Sequence, residues 1–237
     1  MADTDKLPSK VSSHSEVDKF LQKVAATPVV KSAGQPGRLI FAMDATASRQ
    51  HAWDTACHIQ AEMFANTSAL GGLEIQLCYY RGFGEFSASP WYKDSSDLLS
   101  RMTGVFCLGG RTQIARLLQH TIRETGKRKV QALVFVGDAM EEDIDALCDL
   151  AGKLGLLSVP IFLFQEGSHA ATENAFKQLA RLSKGAYCHF DATSAGQLQE
   201  LLSAVAVFAA GGHKALQDFS KQAGREVLLI TQQLSER

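Results

Sequence analysis

The chain has 237 residues, and a hydrophobic fraction of 46% with 21% charged residues is the balance of a globular protein with a sizeable core. A formal net charge of −1 gives no reason to expect nucleic acid or an anionic membrane surface as partner. The five cysteines are dispersed, with no CxxC, and read as reduced core thiols of a cytoplasmic protein.

Residues 1 to about 12 are polar, and Met1-Ala2-Asp3-Thr4-Asp5-Lys6 lacks the basic-then-apolar pattern of a secretion signal. Ser13-x-x-Glu16 fits a capping box, and Val17, Phe20, Leu21 and Val24 follow at helical spacing. Pro28 and the Gly34, Pro36, Gly37 cluster mark a linker. Leu39 to Met43 is a continuous apolar run of the kind found in parallel strands covered on both faces.

From about Arg49 to Ala65 the pattern is helical, with Trp53, Ala56, Cys57, Gln60, Met63 and Phe64 facing inward. Leu73 to Tyr80 alternates as a strand with unequal faces. Glu85 to Ala88 is expected to return as a short antiparallel edge strand, with Pro90 limiting it to the edge. A short helix starts near Ser95 or Ser96, and the loop Gly109-Gly110-Arg111-Thr112 leads into a helix through Ile114, Leu117, Leu118 and Ile122.

Ala132 to Val136 is a buried strand ending on Gly137-Asp138, and Glu141-Glu142-Asp143 is expected to open the next helix, the acidic charges favoured by its macrodipole. Val159 to Phe164 is a strand with Pro160 at its first ladder position. Glu173 to Ser183 is a helix with Gly185 as its C-terminal cap. Ala186 to Phe190 is a last strand, Asp191 to Ser194 caps a helix to about Ala209, and Gly211-Gly212 separates it from a final helix, His213 to Leu234. No stretch is long and apolar enough to span a bilayer.

Strands alternating with helices predict a doubly wound α/β fold: a mostly parallel sheet, one short antiparallel edge strand, and helices on both faces. The partition is an N-terminal extension over residues 1–37, a domain over 38–210 and a C-terminal helical extension over 211–237. Either terminal helix packs on the domain or on a neighbouring chain; the sequence does not separate these.

In such sheets ligands bind at the carboxyl ends of strands near the switch of strand order, where Asp44 and Asp138 both stand. Asp44-x-Thr46-x-Ser48 puts three oxygen side chains there, half of a site for a hard cation. The bland alternative is a helix cap. An EF-hand would need Gly at position 49 and Glu at position 55, where the chain has Arg49 and Thr55. A phosphohydrolase of the haloacid dehalogenase type would carry an acid where Thr46 stands, and Gly109-Gly110-Arg111-Thr112 lacks the ending of a P-loop.

Asp44-x-Thr46-x-Ser48, Gly109-Gly110-x-Thr112-x-Ile114 and Gly137-Asp138, in that order and context, resemble the von Willebrand factor A domain over roughly Leu39 to Ala210. The resemblance implies a metal-ion-dependent adhesion site built from Asp44, Thr46, Ser48, Thr112 and Asp138, with Thr46 replacing the more usual serine. It implies Mg²⁺, with Mn²⁺ or Ca²⁺ as substitutes, and a protein partner whose Asp or Glu carboxylate completes the coordination. The expected function is a metal-dependent binding module and not an enzyme. A Mg²⁺-dependent hydrolase or phosphotransferase using Asp44, and a scaffold with a vestigial site, are the alternatives.

Arg49, Arg81 and Arg111 lie in or beside the loops of that edge, as solvated side chains or as a ring steering an acidic partner. Phe83, Phe86, Trp91 and Tyr92 either cover the sheet edge or form an aromatic patch. The histidines have no metal-ligand spacing, and no Gly-x-Ser-x-Gly elbow is present.

Overall fold

Gly37–Asp44 forms β1, and all eight of its residues are buried. Alternation along the strand sends Leu39, Phe41 and Met43 to one face of the sheet and Ile40 and Ala42 to the other. Both faces must therefore be covered, and the rest of the chain supplies the covers. The computed structural model describes residues 35–67, 70–190 and 195–222, together with Lys19 and Lys23. The helix expected through Val17, Phe20, Leu21 and Val24, the cap at Asp191 to Ser194 and the end of the last helix lie outside the described residues.

Six strands make one sheet in the order β3-β2-β1-β4-β5-β6. They are β1, β2 (Leu73–Arg81), β3 (Glu85–Tyr92), β4 (Ala132–Gly137), β5 (Ile161–Glu166) and β6 (Ala186–Phe190). All pairings are parallel except β2 with β3. On the Leu39 face pack α1 (Gln50–Ala65), α2 (Ser95–Thr103) and the α6 segment (Ala195–Gln222); on the Ile40 face pack α3 (Ile114–Lys127), α4 (Ile144–Leu156) and α5 (Ala170–Leu182). The doubly wound α/β architecture is as expected from the alternating pattern.

Several details differ, each for a physical reason. The edge strand β3 is not short: it runs eight residues and passes through Pro90. A bulge between Gln76 and Cys78 makes this possible, because the Leu77 N–H is taken by the Ser89 hydroxyl at 3.0 Å in place of a ladder carbonyl. Strand β2 is buried on both faces up to Arg81, so its polar positions are satisfied internally. Gln76 donates to the Ser89 carbonyl at 2.8 Å, and Glu74 pairs with Arg128 at 2.8 Å.

Helix α5 does not end on a left-handed Gly185. Lys184 takes the positive φ of 61°, while Gly185 is there for space, since a Cβ would fall 1.9 Å from the Ile161 carbonyl oxygen of β5. Pro160 precedes β5, and its carbonyl accepts the Leu133 N–H at 3.0 Å. The expected break near Gly211-Gly212 is a kink at Gly212, with φ 74° and ψ −165°, between two helical stretches.

Strand β1 is where the order turns. Its connections run first to β2 and β3 on one side and then to β4 on the other, opening a crevice at the carboxyl ends of β1 and β4.

Candidate metal centre

Asp44 is the last residue of β1 and is 1% exposed. Its Oδ1 accepts the Thr46 N–H at 2.8 Å, and its Oδ2 accepts from the Tyr80 hydroxyl at 3.3 Å. Tyr80 is opposite Asp44 in the β1–β2 register, which explains the contact. Burial raises the Asp44 carboxyl pKa; the Thr46 hydrogen bonds oppose this, the charge of Asp138 adds to it and Arg49 opposes it.

After Asp44 the chain turns through Thr46 into a short 3-10 turn, Ala47–Arg49. The alternative role of this loop as a helix cap is not used: Thr46 makes no side-chain cap bond. Instead the Ser48 hydroxyl donates to Asp138 Oδ2 at 2.8 Å, and Thr46 Oγ1 lies 3.4 Å from Ser48 Oγ. Asp44, Thr46, Ser48 and Asp138 are thus linked in one chain of contacts across the crevice. Thr112 stands on the neighbouring loop, fastened to the third: its N–H donates to Glu141 Oε2 at 3.2 Å, and its hydroxyl accepts the Glu141 N–H at 3.1 Å.

The acidic run after Asp138 does something the sequence did not suggest. Helix α4 begins at Ile144 with Asp143 as its cap, so Glu141 and Glu142 lie outside it. The Glu142 carboxylate accepts the N–H groups of Ile114 and Ala115, at the start of α3. The charges are matched to a helix dipole, but to that of a neighbouring helix.

Arg49 is a second correction, because it belongs to neither solvent nor a rim. It is 1% exposed and ion-paired with Glu166 at the end of β5. Burial lowers its pKa, and Asp138 and Asp44 push the other way. Asp44, Asp138 and Glu166 thus stand around one buried guanidinium, an excess of acidic side chains that a divalent cation would offset. Among the described residues no cluster of three His, Cys, Asp or Glu side chains could hold a metal. A cation held here must enlist hydroxyls, and Thr46 and Ser48 already lie against the carboxylates. The donor set is all oxygen and fits a hard divalent ion.

Arg81 pairs with Glu85 at 2.8 Å and donates to the Phe106 carbonyl at 2.8 Å, while Arg111 is exposed. Of the four aromatics, Phe86, Trp91 and Tyr92 pack against the two cores, and Phe83 is exposed. His120 is hydrogen-bonded to Gln76 at 2.8 Å and His169 caps α5. All five cysteines are free thiols, and burial pushes those of Cys57 and Cys107 up to about 11, away from nucleophilic use. No sequence signal points to Glu166, to the burial of Arg49, or to the bonds of Glu141 and Glu142 with Thr112 and the start of α3. Tyr80 had a signal, since strand alignment places it beside Asp44.

No family model matches the chain, and no curated protein is similar to it in sequence. Solved structures are similar in fold. The SpRpn10 VWA domain matches with a TM-score of 0.54 at 15% identity, covering 75% of this chain and 97% of that one. An aerotolerance-related membrane protein from Bacteroides fragilis matches with 0.53 at 14% identity, over 70% and 96%. Proximal thread matrix protein 1 from the mussel byssus, with a zinc-occupied MIDAS motif, matches with 0.58 at 13% identity, over 76% of this chain and 48% of that one. The fold is von Willebrand factor A-like. No helix among the described residues is long and apolar enough to cross a membrane.

Proposed function

We propose, with the von Willebrand factor A-like fold as premise, that this chain is a metal-dependent protein-binding module. Asp44, Thr46, Ser48, Thr112 and Asp138 would hold the divalent cation. The observation that carries the reading is the 2.8 Å bond from Ser48 to Asp138, which joins the first and third loops beside the buried Asp44. A bound cation would supply a coordination position that the protein's oxygens leave open, for an Asp or Glu carboxylate of a partner protein.

The chain's own residues prepare that exchange. Thr46 N–H and the Tyr80 hydroxyl fix both oxygens of Asp44, and Ser48 orients Asp138. Glu141 ties Thr112 to the loop that carries Asp138. Thr46 offers the hydroxyl that the commoner serine would offer. The oxygen-only donors favour Mg²⁺, with Mn²⁺ or Ca²⁺ as substitutes, although the mussel protein carries zinc. We read the chain as a binder rather than a hydrolase because Thr46 stands where a phosphohydrolase of the haloacid dehalogenase type carries its general acid. A cytoplasmic setting fits the five free thiols.

Thermal melts of the full chain in Mg²⁺ and in EDTA test this. At a Mg²⁺ concentration about a hundredfold above Kd, linkage gives roughly 2.7 kcal/mol. For a domain of this size that is a rise of roughly 5–10 °C. Asp44→Ala and Asp138→Asn should each abolish the rise while circular dichroism shows a folded protein. A wild-type melt indifferent to Mg²⁺, Mn²⁺ and Ca²⁺ would overturn the proposal. Affinity capture with and without chelator then identifies the partner.

A further inference from the structure

We propose that the amphipathic segment ahead of β1, residues 13–24, packs on its own domain at an apolar, basic corner formed by the carboxyl ends of α4 and α5. Leu156, Leu157 and Leu182 stand at that corner and are 88%, 41% and 38% exposed. The other exposed large apolar side chains among the described residues lie elsewhere, Phe83, Phe106 and Leu108 at the opposite end of the sheet and Leu99 on α2. Single exposed apolar side chains are ordinary on a protein surface, whereas a group held together marks a contact site.

The corner is built as one piece. Helix α4 closes with the Ser158 N–H on the Gly155 carbonyl at 3.1 Å and the Val159 N–H on the Leu154 carbonyl at 2.9 Å. Helix α5 closes the same way, with the Lys184 N–H on the Arg181 carbonyl at 3.2 Å and the Gly185 N–H on the Ala180 carbonyl at 2.8 Å. The two ends touch, since a Cβ on Gly155 would fall 2.3 Å from the Leu182 carbonyl oxygen. Lys129, just before β4, donates to the Leu157 carbonyl and, at 2.8 Å, to the Ser158 carbonyl.

Charge and position choose the occupant. Residues 126–131, 152–160 and 179–186 meet at the corner and carry Lys127, Arg128, Lys129, Lys153, Arg181 and Lys184 but no Asp or Glu. Lys127 pairs with Glu124 and Arg128 with Glu74, whereas Lys153, Arg181 and Lys184 have no acidic partner among the described residues. Cations at a helix carboxyl end suit its dipole, but that does not account for the leucines between them. The N-terminal segment has the matching pattern. Val17, Phe20, Leu21 and Val24 form an apolar stripe, and helical geometry puts Glu16 on one flank of it and Asp18 on the other. Lys19 and Lys23, which are helical and exposed, fall on the face away from the stripe. The chain also enters the domain at the right end. Gly37 opens β1 two strands from the start of β5, about 10 Å at the usual strand spacing. Residues 25–36, fully extended, reach at most about 40 Å.

Hydrogen exchange of the full chain, read by mass spectrometry on peptides over residues 13–24 and 150–160, tests the contact. We expect the N-terminal peptide to exchange at least about tenfold slower in the chain than alone in solution. Leu156→Ser with Leu182→Ser should remove that protection, and Phe20→Ser with Leu21→Ser should speed exchange at residues 156–158. Peptides from β5 should stay protected in both variants, because Leu156 and Leu182 belong to neither core. Lys153→Glu with Lys184→Glu should weaken the N-terminal protection, and adding Glu16→Lys with Asp18→Lys should restore it. An unprotected N-terminal peptide, or protection that the leucine variant leaves intact, overturns the proposal. Protection that falls on dilution, with a dimer in sedimentation velocity that the leucine variant dissolves, makes the occupant the segment of a second copy, and the same-chain assignment is then wrong. Binding to phosphatidylserine vesicles that the leucine variant loses, in a chain whose N-terminal peptide is unprotected, makes the occupant a membrane surface and also overturns it.

Discussion

Arg49 carries more of the site's character than its place in a loop suggests. A guanidinium removed from water is stable only among carboxylates, and here it has Glu166 as ion-pair partner with Asp138 and Asp44 acting on it. Replacing it with methionine keeps much of the volume and leaves those acids without their cation. We expect Arg49→Met to cost about 3 kcal/mol in metal-free buffer, the range for breaking one side of a buried pair. The same change makes the site more negative, so Mg²⁺ should stabilise the variant more than it stabilises the wild type. Urea unfolding in EDTA and in saturating Mg²⁺ measures both quantities. Equal Mg²⁺ increments in the two proteins would show that the guanidinium does not act on the bound ion.

Helix α3 begins without a cap of its own, because Gln113 makes no side-chain cap bond there. Glu142 supplies it from the loop after β4, accepting from Ile114 and Ala115. Glu142→Ala should therefore cost about 1–2 kcal/mol in urea unfolding, as for loss of a good cap, and Glu142→Gln less, since an amide oxygen still accepts. If Glu142 served α4, as the sequence alone suggests, Glu142→Ala would cost only the small dipole contribution of an exposed charge. The contrast marks what could be read in advance. The apolar run of β1, the inward stripe of α1 through Trp53 and Met63, and the oxygen side chains of the first loop are patterns within a few residues, and periodicity reports them. The Glu142 cap joins residues 28 positions apart, the passage of β3 through Pro90 depends on Ser89 replacing a ladder bond to Leu77, and Gly185 answers to the carbonyl of Ile161. Each is a fit between segments that only folding brings together, so no local pattern announces it.

The sheet has two chemically different ends. At the carboxyl ends of β1 and β4 stand the buried Asp44 and the Ser48–Asp138 contact; at the other end of β1 Arg38 closes the structure. Arg38 is buried, lies 3.5 Å from both Glu74 and Glu124, donates to the Arg128 carbonyl at 2.6 Å, and stacks over Trp91 at 3.6 Å from the ring centroid. Trp91 in turn donates to Glu124 at 3.0 Å, so the edge strand β3 and helix α3 are both tied to β1 there. Arg38→Ala removes one cation from two nearly buried carboxylates that keep Arg128 and Lys127, together with its hydrogen bond to the Arg128 carbonyl, and should cost about 1.5–3 kcal/mol. Arg38 and Asp44 are separated by about 20 Å along the strand at the usual rise per residue, with no shared partner between them. Independent sites at that separation add to within about 0.5 kcal/mol. The Arg38→Ala and Asp44→Ala double variant should accordingly lose stability as the sum of the single variants in EDTA, and Arg38→Ala alone should keep the full Mg²⁺ increment. A loss of that increment in Arg38→Ala, with the fold intact by circular dichroism, would mean that β1 transmits strain from its closed end to the site and that the sheet is not the rigid platform on which the docking proposal depends.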